Sequence, residues 1–408
     1  MVSRQAQKRS VLLLKVVAAT IVIAPGLVCS GEEPPPLWGH LRSGAHAVGH
    51  RVSFAIDRGR VDLVAPGHPR TTLKQSFRPV MVAVWFPASS ADGERTGHEK
   101  YFRVPTLAEH PDFSRRLAEF SINAAAQIIS GQTYRSLNKD VRDEVDRILA
   151  TRTSVHENAE PARGPFPVVI YHPGAGGSFD ENAVLFEFLA SHGYVVISSS
   201  YQMGTGYVSN DIGGFGRSLA DMRFLLSEAG KLPFADLNRP AAIGHSAGGQ
   251  YLLQWIGELD CPIRAVVTLD TTLEYTTENF QGHKPLRRSL ATLQPPTTPV
   301  LLAASAERNP DFRTFDRYLQ SAERYEVRVR GLRHDDYVTH GLMRSFSRAG
   351  KMTNGERTSL REGYEALCNT VLRFLNAYQK SNERDLAALA STDDNERTVT
   401  IRRRAKNK

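Results

Sequence analysis

Cysteine is scarce in this chain: Cys29, Cys261 and Cys368 are the 3 cysteines among 408 residues. If Cys29 leaves with an export signal, only one pair remains. Those two lie in separate predicted elements and read most simply as small buried apolar residues. An excess of one charge is also missing from the body of the chain. The formal charge is +8, but Arg4, Lys8, Arg9 and Lys15 crowd the start, and Arg402, Arg403, Arg404, Lys406 and Lys408 crowd the end. Removing those nine from 51 basic residues leaves 42 against 43 acidic ones. A near-neutral body excludes a nucleic-acid-binding stripe. No internal repeat is present. The hydrophobic content of 41% and charged content of 23% describe an ordinary globular chain.

The first 30 residues read as an export signal. Arg4, Lys8 and Arg9 precede an apolar run from Val11 to Val28, and Val28-Cys29-Ser30 offers a cleavage site. This predicts a periplasmic or secreted protein. An uncleaved anchor and a lipoprotein attached through Cys29 are the alternatives. Residues 31–48, rich in Pro and Gly, are expected to be a linker. Residues 381–408 are expected to be a charged, mobile C-terminal tail, with weak association to an anionic membrane surface as the lesser alternative.

Between these ends lies one predicted domain over residues 49–380. Val52–Ile56 and Val80–Phe86 read as strands, the second stopped by Pro87. From Pro165 strands alternate with helices. Val168–Tyr171, Tyr194–Ile197, Pro240–Ile243, Ala265–Leu269, Val300–Ala304 and Tyr325–Val329 are the strand candidates. Repeated β-α units predict the α/β class, a doubly wound and mostly parallel sheet. Residues 101–150 break this rhythm, with Leu117, Phe120, Ala124 and Ile128 at helical spacing. They are expected to form a helical insert over one end of the sheet, a cap rather than an extra layer.

Gly244-His245-Ser246-Ala247-Gly248 carries the chemistry. A strand precedes it and a helical pattern, Gln250–Ile256, follows. In that context Gly-x-Ser-x-Gly predicts a sharp turn that exposes a nucleophilic serine, as in α/β-hydrolases. A serine hydroxyl needs a histidine to take its proton and an acid to orient that histidine. His334, after the last predicted strand, fits the histidine, and His340 is the nearby competitor. Asp270, at the carboxyl end of a strand, fits the acid, while Glu307 or Asp311 after the next strand is the alternative. The oxyanion needs backbone donors. The amide of Ala247 is one, and the loop His172–Ser178 supplies the other, assigned to Ala175 with Gly174 and Gly176 as neighbours.

With these residues placed, the chain resembles the plasma-type platelet-activating-factor acetylhydrolases and the bacterial dienelactone-hydrolase-like esterases. The matching segments are Arg78–Pro87, Gly164–Ile170 with its glycine loop, Gly244–Gly249, Val267–Asp270 and Gly331–His334. The resemblance implies Asp270 as the acid, no metal and no cofactor, and hydrolysis of small-molecule or lipid esters with short or oxidised acyl groups. It departs from the pattern at Pro173, where the family's oxyanion loop carries a histidine. The expected activity is therefore an exported carboxylic ester hydrolase acting through an acyl-enzyme on Ser246. A phospholipase, a polyester hydrolase, a lactonase, a peptidase, or a non-catalytic module on the same scaffold are the rivals.

Overall fold

The computed structural model describes residues 35–64, 74–108, 111–201, 212–276, 284–348, 352–390 and 398–406. The segment expected to be an export signal, with Cys29, lies outside them. Among the described residues no helix is long and apolar enough to cross a membrane.

The strands are β1 (Ala47–Val64), β2 (Lys74–Ala88), β3 (Arg95–Gly97), β4 (Arg152–His156), β5 (Phe166–His172), β6 (Val195–Ser198), β7 (Ala235–His245), β8 (Ala265–Leu269), β9 (Val300–Ser305), β10 (Arg324–Val329) and β11 (Val399–Arg404). They form one 11-stranded sheet in the order β11-β10-β9-β8-β7-β5-β6-β2-β1-β4-β3. From β6 through β10 every neighbouring pair is parallel. The β1–β2 hairpin and β11 add antiparallel pairings at the two sides. The helices are α1 (Pro111–Ser130), α2 (Lys139–Leu149), α3 (Ala183–Ser191), α4 (Ile212–Ala229), α5 (Ala247–Trp255), α6 (Lys284–Leu290), α7 (Thr339–Met343), α8 (Asn354–Gln379) and α9 (Glu383–Ala390). The expected doubly wound α/β architecture is what the chain adopts.

A continuous apolar run makes sense for a strand covered on both faces, because successive side chains point to opposite sides. In β5, Val169 and Tyr171 enter a core shared with α3 and α8, including Phe186, Tyr364 and Phe374. Val168 and Ile170, one residue out of phase, enter the opposite core with Met222 of α4 and Leu252 of α5. The sheet is thus sandwiched between helical layers. Its central parallel strands end on one edge, where the ligand-facing loops of such sheets gather.

Two terminal expectations are corrected. Residues 31–48 are not a free linker where they are described. Leu37, Trp38 and Leu41 are buried, and the Trp38 Nε1 donates to Glu187 Oε2 at 3.1 Å. The tail is not a mobile end either, because Val399–Arg404 pairs with β10 over its whole length. Ile401 is buried, while Arg403 and Arg404 pair with Glu323 and Glu326. These two arginines therefore meet carboxylates of the sheet edge. Cys368 is buried, Cys261 is partly buried, and both are free thiols.

Candidate active site

The turn between β7 and α5 positions Ser246. Its φ of 50° and ψ of −119° are sparsely populated for a residue with a Cβ. The flanking glycines make that turn possible. A Cβ on Gly244 would lie 2.5 Å from the Gly248 backbone, and one on Gly248 would lie 2.2 Å from the His172 carbonyl oxygen. The Ser246 amide donates to the Leu269 carbonyl at 2.9 Å, so the turn is tied to the end of β8.

Asp270 follows β8 directly, also at positive φ (47°), and its amide donates to the Ala303 carbonyl at 2.8 Å. Its side chain is fully buried. His334 begins a short 3-10 turn after β10. The structure brings these three together. The His334 Nε2 lies 3.0 Å from the Ser246 Oγ, and its Nδ1 lies 3.1 Å from the Asp270 Oδ2. Burial would raise the Asp270 carboxyl, but His334, Tyr275 and His245 outweigh it and hold it below its usual value. Glu274 lies behind it in the same buried pocket. Burial and the Asp270 charge push its carboxyl up, so the negative charge of this pair sits on Asp270.

The competitors lie elsewhere. Glu307 accepts from Ser305 Oγ at 3.0 Å and from the Gly331 amide at 2.7 Å, so it anchors the loop that carries His334. Asp311 pairs with Arg313 at 2.8 Å. His340 is buried beside Asp180.

Ala247 is the first residue of α5, so its amide has no acceptor within the helix. Gly174 to Gly177 form a tight turn closed at 3.0 Å by Gly177 N–H and Gly174 C=O, with Ala175 exposed at its tip. This turn meets the serine closely. A Cβ on Gly174 would lie 2.9 Å from His245 Nδ1 and 3.2 Å from Ser246 Cβ.

Sequence reasoning missed two residues that hold this arrangement. Glu181, buried, accepts from the Tyr171 hydroxyl at 2.7 Å and from the Gly174 amide at 3.1 Å. Its Oε1 also lies 3.4 Å from His245 Nδ1. His245 in turn reaches the His334 carbonyl through Nε2 at 3.1 Å. Burial alone would lower the His245 imidazole, but the Glu181 carboxylate and the His334 carbonyl hold it above its ordinary value. The pair ties the glycine loop to the backbone of His334. A lone Glu in a loop and the variable residue of Gly-x-Ser carry no sequence signal for this.

A cavity of about 850 Å³ opens over Ser246 and His334. The last turns of α1, from Ala124 through Ser130, form one wall with Gly131 just after them, and Ala175, Arg333 and Met352 line others. The helical insert therefore borders the site, as expected of a cap.

No protein-family model matches the chain, and no curated protein matches its sequence. Among solved structures it is similar to a ferulic acid esterase from Streptomyces cinnamoneus, with a TM-score of 0.57 and 18% identity. The likeness covers 88% of this chain and 98% of that one. What the two share is the fold: a mostly parallel sheet wrapped by helices, the architecture of the α/β-hydrolases.

Proposed function

We propose that this protein is an exported serine hydrolase of carboxylic esters, short-chain acyl esters foremost. The observation that carries the reading is the hydrogen-bonded relay Ser246–His334–Asp270, with the serine in a strained turn at the floor of a cavity. The solved esterase with the same fold supports it. Ser246 Oγ attacks the ester carbonyl while His334 Nε2 takes its proton. Asp270 holds the imidazole by Nδ1 and stabilises its charged form. The amides of Ala247 and Ala175 receive the oxyanion. The intermediate collapses, His334 gives the proton to the leaving alcohol, and an acyl-Ser246 remains. Water, deprotonated by His334, then releases the carboxylic acid and restores the serine.

A fluorophosphonate probe tests the reading directly. Stoichiometric labelling at Ser246, lost in Ser246→Ala and in His334→Ala, is the expected result. The same variants lower kcat on p-nitrophenyl acetate by about 10⁴-fold or more. Absence of labelling in a folded sample removes the proposal and leaves a non-catalytic module. A series of p-nitrophenyl esters of increasing acyl length, with methyl ferulate beside them, ranks the acyl groups.

A further inference from the structure

Behind the site lies a cluster that ester hydrolysis does not use. His98, Asp180 and His340 are all fully buried, and one ligand atom from each lies within 4.8 Å of the others. Asp180 Oδ2 is 3.4 Å from His98 Nε2 and 3.3 Å from His340 Nε2. Ordinary N–H···O bonds run at about 2.7–3.2 Å, so these separations are too long for good ones. Ligands held about 2.0–2.1 Å from a tetrahedral cation stand about 3.3–3.5 Å apart, which is the observed spacing. None of the six side-chain nitrogens and oxygens of the trio has a hydrogen-bond partner among the described residues. A buried carboxylate left in that condition is costly unless a charge compensates it. Nearby His50 Nε2 is likewise buried without a partner, and both the His50 and His98 rings pack edge-on against Tyr101.

We propose that His98, Asp180 and His340 bind a divalent first-row transition metal of the zinc class, as a structural site separate from the catalytic relay. Two imidazoles and a carboxylate suit such a cation, and complete burial suits a fixed ion rather than a reacting one. The ligands come from three segments that need joining. Asp180 ends the glycine loop ahead of α3, and His340 lies in α7, just beyond His334. His98 opens the 3-10 turn His98–Phe102, where the chain leaves β3 toward the helical insert. The His340 amide already donates to the Glu181 carbonyl at 3.2 Å, so the ion completes a junction that the backbone begins. The site thus braces the oxyanion loop and the histidine loop against each other. It stands whether or not the chain hydrolyses esters, and it departs from the metal-free expectation that the family resemblance implies.

The test uses the full chain without a histidine tag. Elemental analysis after dialysis should find about one zinc per chain, with a water completing the tetrahedron that the three side chains begin. Stripping with a chelator should lower the Tm. Adding Zn²⁺ at about 100 times Kd should restore it by about 3 °C. His98→Gln and His340→Gln should each weaken zinc binding by more than the roughly 10–100-fold that loss of an outer partner costs. His40→Gln, at an exposed histidine elsewhere, should leave binding unchanged. If either ligand variant fails to fold, Co²⁺ in the stripped wild-type chain decides, with intense visible bands marking a tetrahedral nitrogen–oxygen site. No stoichiometric metal together with no Tm response to Zn²⁺ overturns the proposal. So does zinc binding that is equal in wild type and the two ligand variants, or Co²⁺ that binds without those bands.

Discussion

Glu187 should make this domain less stable as the pH rises through neutrality. Its carboxyl is buried in α3 and fastens three separate parts of the chain. Oε2 accepts from the Trp38 indole at 3.1 Å and from the Ser154 amide at 2.8 Å, and Oε1 accepts from the Tyr101 hydroxyl at 2.8 Å. Those donors favour the charged form, yet burial outweighs them and pushes the carboxyl from 4.5 to about 7. Between those two values the folded chain keeps a proton that the unfolded chain has lost. The group's stability contribution is therefore complete below pH 4.5 and is lost as pH climbs through about 7. At about 1.4 kcal/mol per pH unit, the full loss is about 3 kcal/mol. With an unfolding entropy of roughly 2 cal/mol/K per residue, a domain of this size converts that loss into about 4 °C of Tm. The assay is thermal unfolding of wild type and Glu187→Gln at about pH 5 and about pH 8, at constant ionic strength. Glutamine keeps the shape and cannot ionise. Part of the loss already falls below pH 5, so wild type should lose about 3 °C more than the variant between the two pH values, whatever constant offset the amide introduces. Parallel pH dependences for the two proteins would refute the burial argument.

Glu181→Gln removes the charge that holds His245 and loosens the glycine loop. A charge-assisted bond of about 1.5–3 kcal/mol predicts a roughly 10–100-fold fall in kcat with little change in KM, read on a p-nitrophenyl ester. Gly248→Ala drives a Cβ to within 2.2 Å of the His172 carbonyl oxygen, backbone against backbone, so no rotamer relieves it. A loss of about 1–3 kcal/mol in urea unfolding and slower fluorophosphonate labelling should follow. Truncation before Val399 strips the strand that covers β10, and should lower Tm and produce aggregates on size exclusion through the bared edge.

The central parallel strands and the serine turn were legible because their signals are local. Val168–Tyr171 announces a strand buried on both faces, and Gly244–Gly249 states its own steric requirement. The acid was harder, since two strand ends offered one, and the family resemblance favoured Asp270 over Glu307. The structure brings Asp270 to His334 and leaves Glu307 bracing the loop. The terminal segments misled for a definite reason. A run of prolines and charges outweighs a few apolar residues in composition, yet Trp38 alone is enough to pin the arm to α3. In the tail, Val399, Ile401 and the arginines read as solvated until β10 supplies both an edge and carboxylates. Glu181, His245 and the His98–Asp180–His340 cluster were invisible because their partners are distant in sequence and nothing in their spacing brings them together.

The place of β11 has a consequence for biosynthesis. A chain emerging from the ribosome carries Ser246, Asp270 and His334 well before it carries Val399–Arg404. Until that segment docks, β10 is the outermost strand, and the loop bearing His334 hangs from an open border instead of an enclosed one. His334, the base proposed for Ser246, therefore sits beside the border of the sheet that closes last.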